Sequence, residues 1–143
     1  MTALSITAAN VSLDSGAHDV DCIAGEAFNA GQALYKSSSD GKWYKAQCDG
    51  TADEAGATDY GIALGTASGA GARVSVAKDG AILSVGSTVA LAGYPYFIGA
   101  AYGAIVPFAD LVSTNKSTLC AMGYSTSKLL VCSGRYNSAL VLA

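Results

Sequence analysis

The nucleophilic chemistry open to this chain is bounded by its single histidine. Any Ser-His-Asp or Cys-His arrangement must use His18, because the imidazole takes the proton from the attacking hydroxyl or thiol. His18 opens the run His18-Asp19-Val20-Asp21-Cys22, an acidic strand and a poor place to lower a thiol pKa. The four cysteines, Cys22, Cys48, Cys120 and Cys132, form no CxxC pair, so a zinc site is not supported. Small buried thiols are expected instead, and disulfides would require an oxidising medium after assembly. Paired carboxylates for glycoside hydrolysis are conceivable among Asp49, Asp53, Glu54 and Asp59, but these lie in a Gly/Ala-rich loop with no aromatic groove nearby. Asp19, Asp21 and Glu26 beside His18 could bind a divalent cation. Ligands strung along one strand do not surround an ion, however, and a solvated face is expected. The segment 49–59 lacks the alternating ligands of a calcium loop, and the glycines of 65–71 precede no helix that could hold a phosphate. The residues therefore predict no enzyme, no cofactor and no metal.

At 143 residues the chain reads as one domain. A chain of this size buries roughly 68–70% of its unfolded surface, enough for a core without metals or disulfides. It is 51% hydrophobic and only 13% charged, against about 25% charged in ordinary soluble domains. A surface so poor in charge is expected to be covered in part by a partner or by copies of the chain itself. Net charge is −3 and the basic residues are scattered, which argues against nucleic acid. No apolar run approaches the ~18–20 residues of a membrane span. Met1-Thr2-Ala3-Leu4-Ser5 lacks the basic start and long apolar run of a signal peptide, so synthesis and retention in a cytoplasm are expected, or export inside something larger.

The elements that would position these residues are short strands. Ala33-Leu34-Tyr35 and Trp43-Tyr44-Lys45-Ala46 flank a turn ending in Asp40-Gly41, and Tyr60-Gly61-Ile62-Ala63-Leu64 follows. Asp-Gly between alternating apolar residues predicts a hairpin, and Asp79-Gly80 predicts a second one between Arg73–Lys78 and Ala81–Val85. In His18–Ala24 the period of two sets Val20, Cys22 and Ala24 on one face and Asp19 and Asp21 on the other. Ala52–Ala55 is predicted as one helical turn capped by Thr51. Pro95 and Pro107 fall in strand-like runs, which places those runs at edges or bends. Roughly nine to eleven short strands at 8–12-residue spacing predict an all-β fold, a compact small barrel or sandwich of short antiparallel strands. An extended N-terminal arm, residues 1–16, precedes a single β-rich domain, residues 17–143. Leu4, Ile6, Val11 and Leu13 alternate along that arm, either to pair with another chain's sheet edge or as the first strand of the domain's own sheet. Tyr94, Tyr96 and Phe97, with Leu140 and Leu142 in the apolar tail, are candidates for a subunit interface. Tyr94, Tyr96, Tyr102 and Trp43 are alternatively a platform for stacking on sugars.

Several stretches carry a resemblance: Gly25-Glu26, Ala30-Gly31-Gln32, Tyr35, Asp40-Gly41-Lys42, Tyr44-Lys45-Ala46, Gly61-Ile62-Ala63-Leu64 and Val74-Ser75-Val76. Further on stand Tyr94-Pro95-Tyr96-Phe97-Ile98, Gly103-Ala104-Ile105-Val106-Pro107 and Asp110-Leu111. Together they resemble the capsid decoration, or cement, proteins of tailed bacteriophages over about residues 24–133. The resemblance implies a small β-rich body, commonly trimeric, on the outside of the assembled shell at or near threefold positions. There it would clamp neighbouring major capsid protein subunits against packaged DNA. It also implies a place in the virion after synthesis in the host cytoplasm. The cysteines, the arm and the tail stand outside the pattern. A glycan-binding module of a virion fibre, or a tail or head-completion protein, is the alternative.

Overall fold

Strands here are short because turns, most of them carrying glycine, interrupt the apolar runs. The computed structural model describes residues 3–86, 90, 92–112 and 115–133. Among these lie eleven strands: β1 (Ser12–Ser15), β2 (His18–Ile23), β3 (Ala33–Lys36), β4 (Trp43–Lys45), β5 (Tyr60–Ala63), β6 (Arg73–Ala77), β7 (Ile82–Ser84), β8 (Pro95–Ile98), β9 (Ile105–Pro107), β10 (Leu119–Ser125) and β11 (Lys128–Val131). They form two antiparallel sheets, one of six strands in the order β1-β7-β11-β10-β8-β9 and one of five in the order β2-β6-β5-β3-β4. The fold is an all-β sandwich. The five-stranded sheet curls until its two ends touch at an isolated Ala24–Trp43 bridge, where Gly25 N–H donates to the Trp43 carbonyl at 2.8 Å.

That curl gives the five-stranded sheet two buried faces. Alternation along its strands sends Tyr60 and Ile62 toward the other sheet, while Leu34, Trp43, Ala63, Val74 and Val76 fill a second core inside the curl with Phe28. The main core lies between the sheets, where Ile62, Leu83, Val85, Ile98 and Leu129 are fully buried. Gly61 answers a close approach within the five-stranded sheet: a Cβ there would stand 2.4 Å from the Ala77 carbonyl oxygen of the neighbouring strand. Tyr60 pins the layers together. Its ring is fully buried and its hydroxyl donates to the Leu119 carbonyl of the opposite sheet at 2.6 Å.

The Asp40-Gly41 turn joins β3 and β4 as a true hairpin, with Tyr35 opposite Tyr44. Asp79-Gly80 does not make the second one. Its turn forms locally, with Gly80 at φ +90° and Ala81 N–H donating to the Lys78 carbonyl at 3.0 Å. Yet β6 pairs with β2 and β5, whereas β7 pairs with β1 and β11, so this turn carries the chain from one sheet to the other. The partner across the turn is chosen by the two-layer packing, which a local turn signal does not report. Pro95 begins β8, and Pro107 lies on the edge strand β9, where a missing N–H costs no ladder bond.

Residues 3–15 lie along this body. Leu4 N–H donates to the Ile105 carbonyl on the β9 edge at 2.8 Å. Ile6 and Val11 then pass over Gly31, at φ +91°, where a Cβ would come within 2.6 Å of Ile6 Cγ2. Residues 12–15 finally pair with β7 at the far edge of the same sheet, making β1 a strand of the domain's own sheet. Leu4, Ile6 and Leu13 rest half-buried on the main core.

Replacing Tyr60 by Phe keeps the ring and strands the Leu119 carbonyl without its donor. Urea unfolding should show a loss of about 1–2 kcal/mol with an unchanged m-value.

Candidate functional site

The loop 49–59 is held by its own carboxylates. Thr51 and Glu54 cap one turn reciprocally: Glu54 N–H donates to Thr51 Oγ1 at 3.2 Å, and Thr51 N–H donates to Glu54 Oε1 at 3.1 Å. The second oxygen of Glu54 accepts from Gln47 Nε2 at 3.1 Å and from the Tyr102 hydroxyl at 3.3 Å, which ties the loop to the turn after β8. Asp53 accepts from Ser38 N–H at 3.0 Å and from Thr58 Oγ1 at 2.8 Å. Asp59 pairs with Lys78, whose ammonium also lies 5.3 Å from the centroid of the Trp43 ring. Each of these three carboxylates is therefore engaged in hydrogen bonds or an ion pair that hold the loop and its neighbours. The hydrogen bond from Thr51 N–H keeps the Glu54 carboxyl below its ordinary value, with those from Gln47, the Thr51 hydroxyl and Tyr102 adding to it, so it stays ionised rather than serving as an acid.

The acidic strand is arranged differently from its sequence pattern. A register shift between Asp19 and Cys22 breaks the pleat, with Asp21 at φ +57°. Val20 is thereby turned out to 62% exposure while Cys22 and Ala24 stay buried, so the three do not share one face. The cause is the extra residue of a bulge, which resets which side faces in and is invisible to a period-of-two reading. With Lys36, Gly41 and Trp43, residues 18–23 line an open cleft of about 450 Å³ at the mouth of the curled sheet. His18 has its Nδ1 3.3 Å from the Gly16 carbonyl. Glu26 is drawn away, accepting from Lys45 N–H at 2.8 Å and so covering the β4 edge. Among the described residues, no three His, Cys, Asp or Glu side chains come close enough to hold a metal ion.

All four cysteines are buried. Burial raises the pKa of Cys22, pushes that of Cys48 up to about 11 and pushes that of Cys120 up to about 12. Thiolate is the reactive form, so these side chains behave as small hydrophobes.

The sequence-derived aromatic set is dispersed. Trp43 is buried in the curl and Tyr96 in the main core, each 2% exposed, while Tyr102 stands on the surface beside Gln47 and Glu54. The four rings of the sugar platform are not brought onto one surface. Of the interface candidates, Tyr94 is half-buried against Tyr96, and Phe97 faces outward in an edge-on contact with Phe108 at 5.5 Å. Leu140 and Leu142 lie outside the described residues. Sequence reading passed over Phe108, Val112 and Tyr124, which are 50%, 58% and 57% exposed. The signal that could have found Phe108 and Tyr124 is the absence of Asp, Glu, Lys and Arg throughout 81–109 and again through 117–127, whereas Val112 lies between Asp110 and Lys116 and carries no such signal.

Fold and surface thus define an all-β sandwich with ordered polar loops at one side and an uncharged sheet face at the other. Comparison of the chain with protein-family models, with curated proteins and with solved structures finds no match.

Two outcomes are expected. Glu54→Ala should lose about 1 kcal/mol near neutral pH through the missing cap. Because the folded-state pKa of Glu54 is depressed, that difference is fully present above its unfolded value of 4.5 and shrinks as pH falls through the lower, folded value; parallel denaturation curves across the acid range check it. A disulfide reagent at mildly alkaline pH should leave Cys48 and Cys120 unlabelled in the native protein and label both in urea, read by mass spectrometry.

Proposed function

We propose that this chain is a structural protein of a tailed-phage virion, without catalytic activity, that binds the outside of the assembled capsid. It would sit there as a trimer at or near threefold positions and stabilise the shell by bridging major capsid protein subunits. The observation that carries the reading is where the resembling motifs fall in the fold. Gly25-Glu26 supplies the contact that brings the ends of the curled sheet together and the carboxylate over the β4 edge. Asp40-Gly41-Lys42 makes the β3–β4 turn, with Asp40 accepting from Lys42 N–H at 2.9 Å and from the Tyr44 hydroxyl at 2.6 Å. Gly61-Ile62-Ala63-Leu64 is the doubly buried centre of the five-stranded sheet. The likeness is one of a whole rigid unit, and rigidity, many copies and a surface that buries on others are what a cement protein requires.

Shell contact through Leu4, Ile6, Val11 and Leu13 takes a particular form in this reading. Leu4, Ile6 and Leu13 pack on the protein's own core, so what residues 12–15 offer a capsid strand is the open edge of β1. A specific contact should bury about 1,000 Å² in total, and three linked subunits multiply weak single contacts by avidity.

Purified protein mixed with empty expanded shells of its own phage should cosediment saturably and raise the temperature at which the shells rupture. Shells that sediment bare across the whole titration would overturn the assignment.

A further inference from the structure

The outer face of the six-stranded sheet has no charged residue over most of its width. Cross-strand register places Ile82 beside Leu130, Leu130 beside Met122, Met122 beside Pro95, and Leu119 beside Phe97. All six are half-buried, while the residues alternating with them along β7, β8 and β11 are buried in the main core. The stripe is continuous across four adjacent strands. Asp14 and Lys128 stand at one corner of this face and neutralise each other in a 2.6 Å ion pair. An antiparallel sheet with one wet face ordinarily alternates apolar-in with polar-out. Here the outward positions of the stripe are apolar as well, with Ser84 and Lys128 polar only at its margin.

We propose that this face is the contact between copies of the chain. Charge decides in favour of a second copy. Over residues 17–80, which build the five-stranded sheet, acids outnumber bases, so copies meeting through that side repel one another. The sheet face is neutral, so a neighbouring copy in a closed ring covers it without stripping water from any unpaired charge. Size agrees. The four strands of the stripe, three to seven residues long at ~3.4 Å rise and ~4.8 Å apart, span about 19 by 10–24 Å. Phe108 beside Phe97, and Tyr124 on β10, add exposed apolar surface to the stripe, toward the ~800 Å² per partner of a stable interface. Outward Met122 at the centre of the stripe fits such a contact, since its thioether adapts to an irregular facing surface.

The inference rests on the self-association in the reading above and needs nothing of the shell. Light scattering coupled to size exclusion tests it on the full chain. Wild type should elute at a multiple of 14.3 kDa. Met122→Glu should shift the mass to a single chain, and so should Tyr124→Glu, whose ring is 57% exposed and supports no core. Ala57→Glu, on an exposed loop of the other sheet, should leave the assembly intact, with circular dichroism confirming the fold of each variant. An assembly that survives both face substitutions overturns the face and leaves self-association standing. A wild-type monomer overturns both. A monomer whose shell binding is lost on Met122→Glu assigns the face to the shell instead, and shell binding that persists in a dissociated variant separates this inference from the decoration reading.

Discussion

Everything in this molecule depends on the uncharged layer between the two sheets and on a buried hydroxyl that crosses it. Tyr60 is fully buried, yet its hydroxyl reaches the Leu119 carbonyl in the opposite sheet at 2.6 Å. A buried phenol without a partner would cost about 1–3 kcal/mol, so the bond favours one distance between the layers and one lateral position. Around it the core is built from alanine and branched aliphatics. That choice lets sheets approach closely and leaves few side chains that could repack in another register. Gly61 marks a close approach within the five-stranded sheet, where the Ala77 carbonyl occupies the space of a side chain.

A second consequence is the curl of the five-stranded sheet. A sheet buried on one face only would leave Leu34, Val74 and Val76 to water. Bending until Ala24 and Trp43 meet encloses them in a small core of their own. The lid of that core is electrostatic as well as apolar, since Lys78 lies over Trp43 while paired with Asp59. Charge is thus concentrated on this half of the molecule, where it closes loops and covers edges. The other half is left with an apolar outer sheet face. The division follows from composition: with so few charged residues, those needed to order long loops are not available to solvate a second sheet.

Residues 3–15 show how the sandwich manages its open side. One segment reaches the β9 edge at Leu4 and the β7 edge at β1, and between them it covers the gap between layers with Ile6 and Val11. Covering edges in this way suppresses uncontrolled strand addition. It also leaves a single free edge, β1, on that side of the sheet.

The sequence by itself determined the class of fold, the approximate places of the strands and the first hairpin. Period-two alternation and Asp-Gly turns are local properties, and Asp40-Gly41 with its flanking strands needs no distant residue to form. It also determined that Thr51 caps a turn, since a hydroxyl three residues before a glutamate acts within that turn. Only the tertiary structure decided that Asp79-Gly80 joins two sheets rather than two paired strands, because the partner of β7 is β11, distant in the chain. It alone decided that Val20 faces water, through a bulge whose extra residue obeys the ladder opposite and not its own periodicity. The candidate surface divides the same way. Its lack of charge is written in residues 81–109 and 117–127, but register across four strands was needed to gather Ile82, Leu130, Met122 and Pro95 into one row. Composition is additive along a chain and can be read there, whereas adjacency between strands arises only when the layers pack.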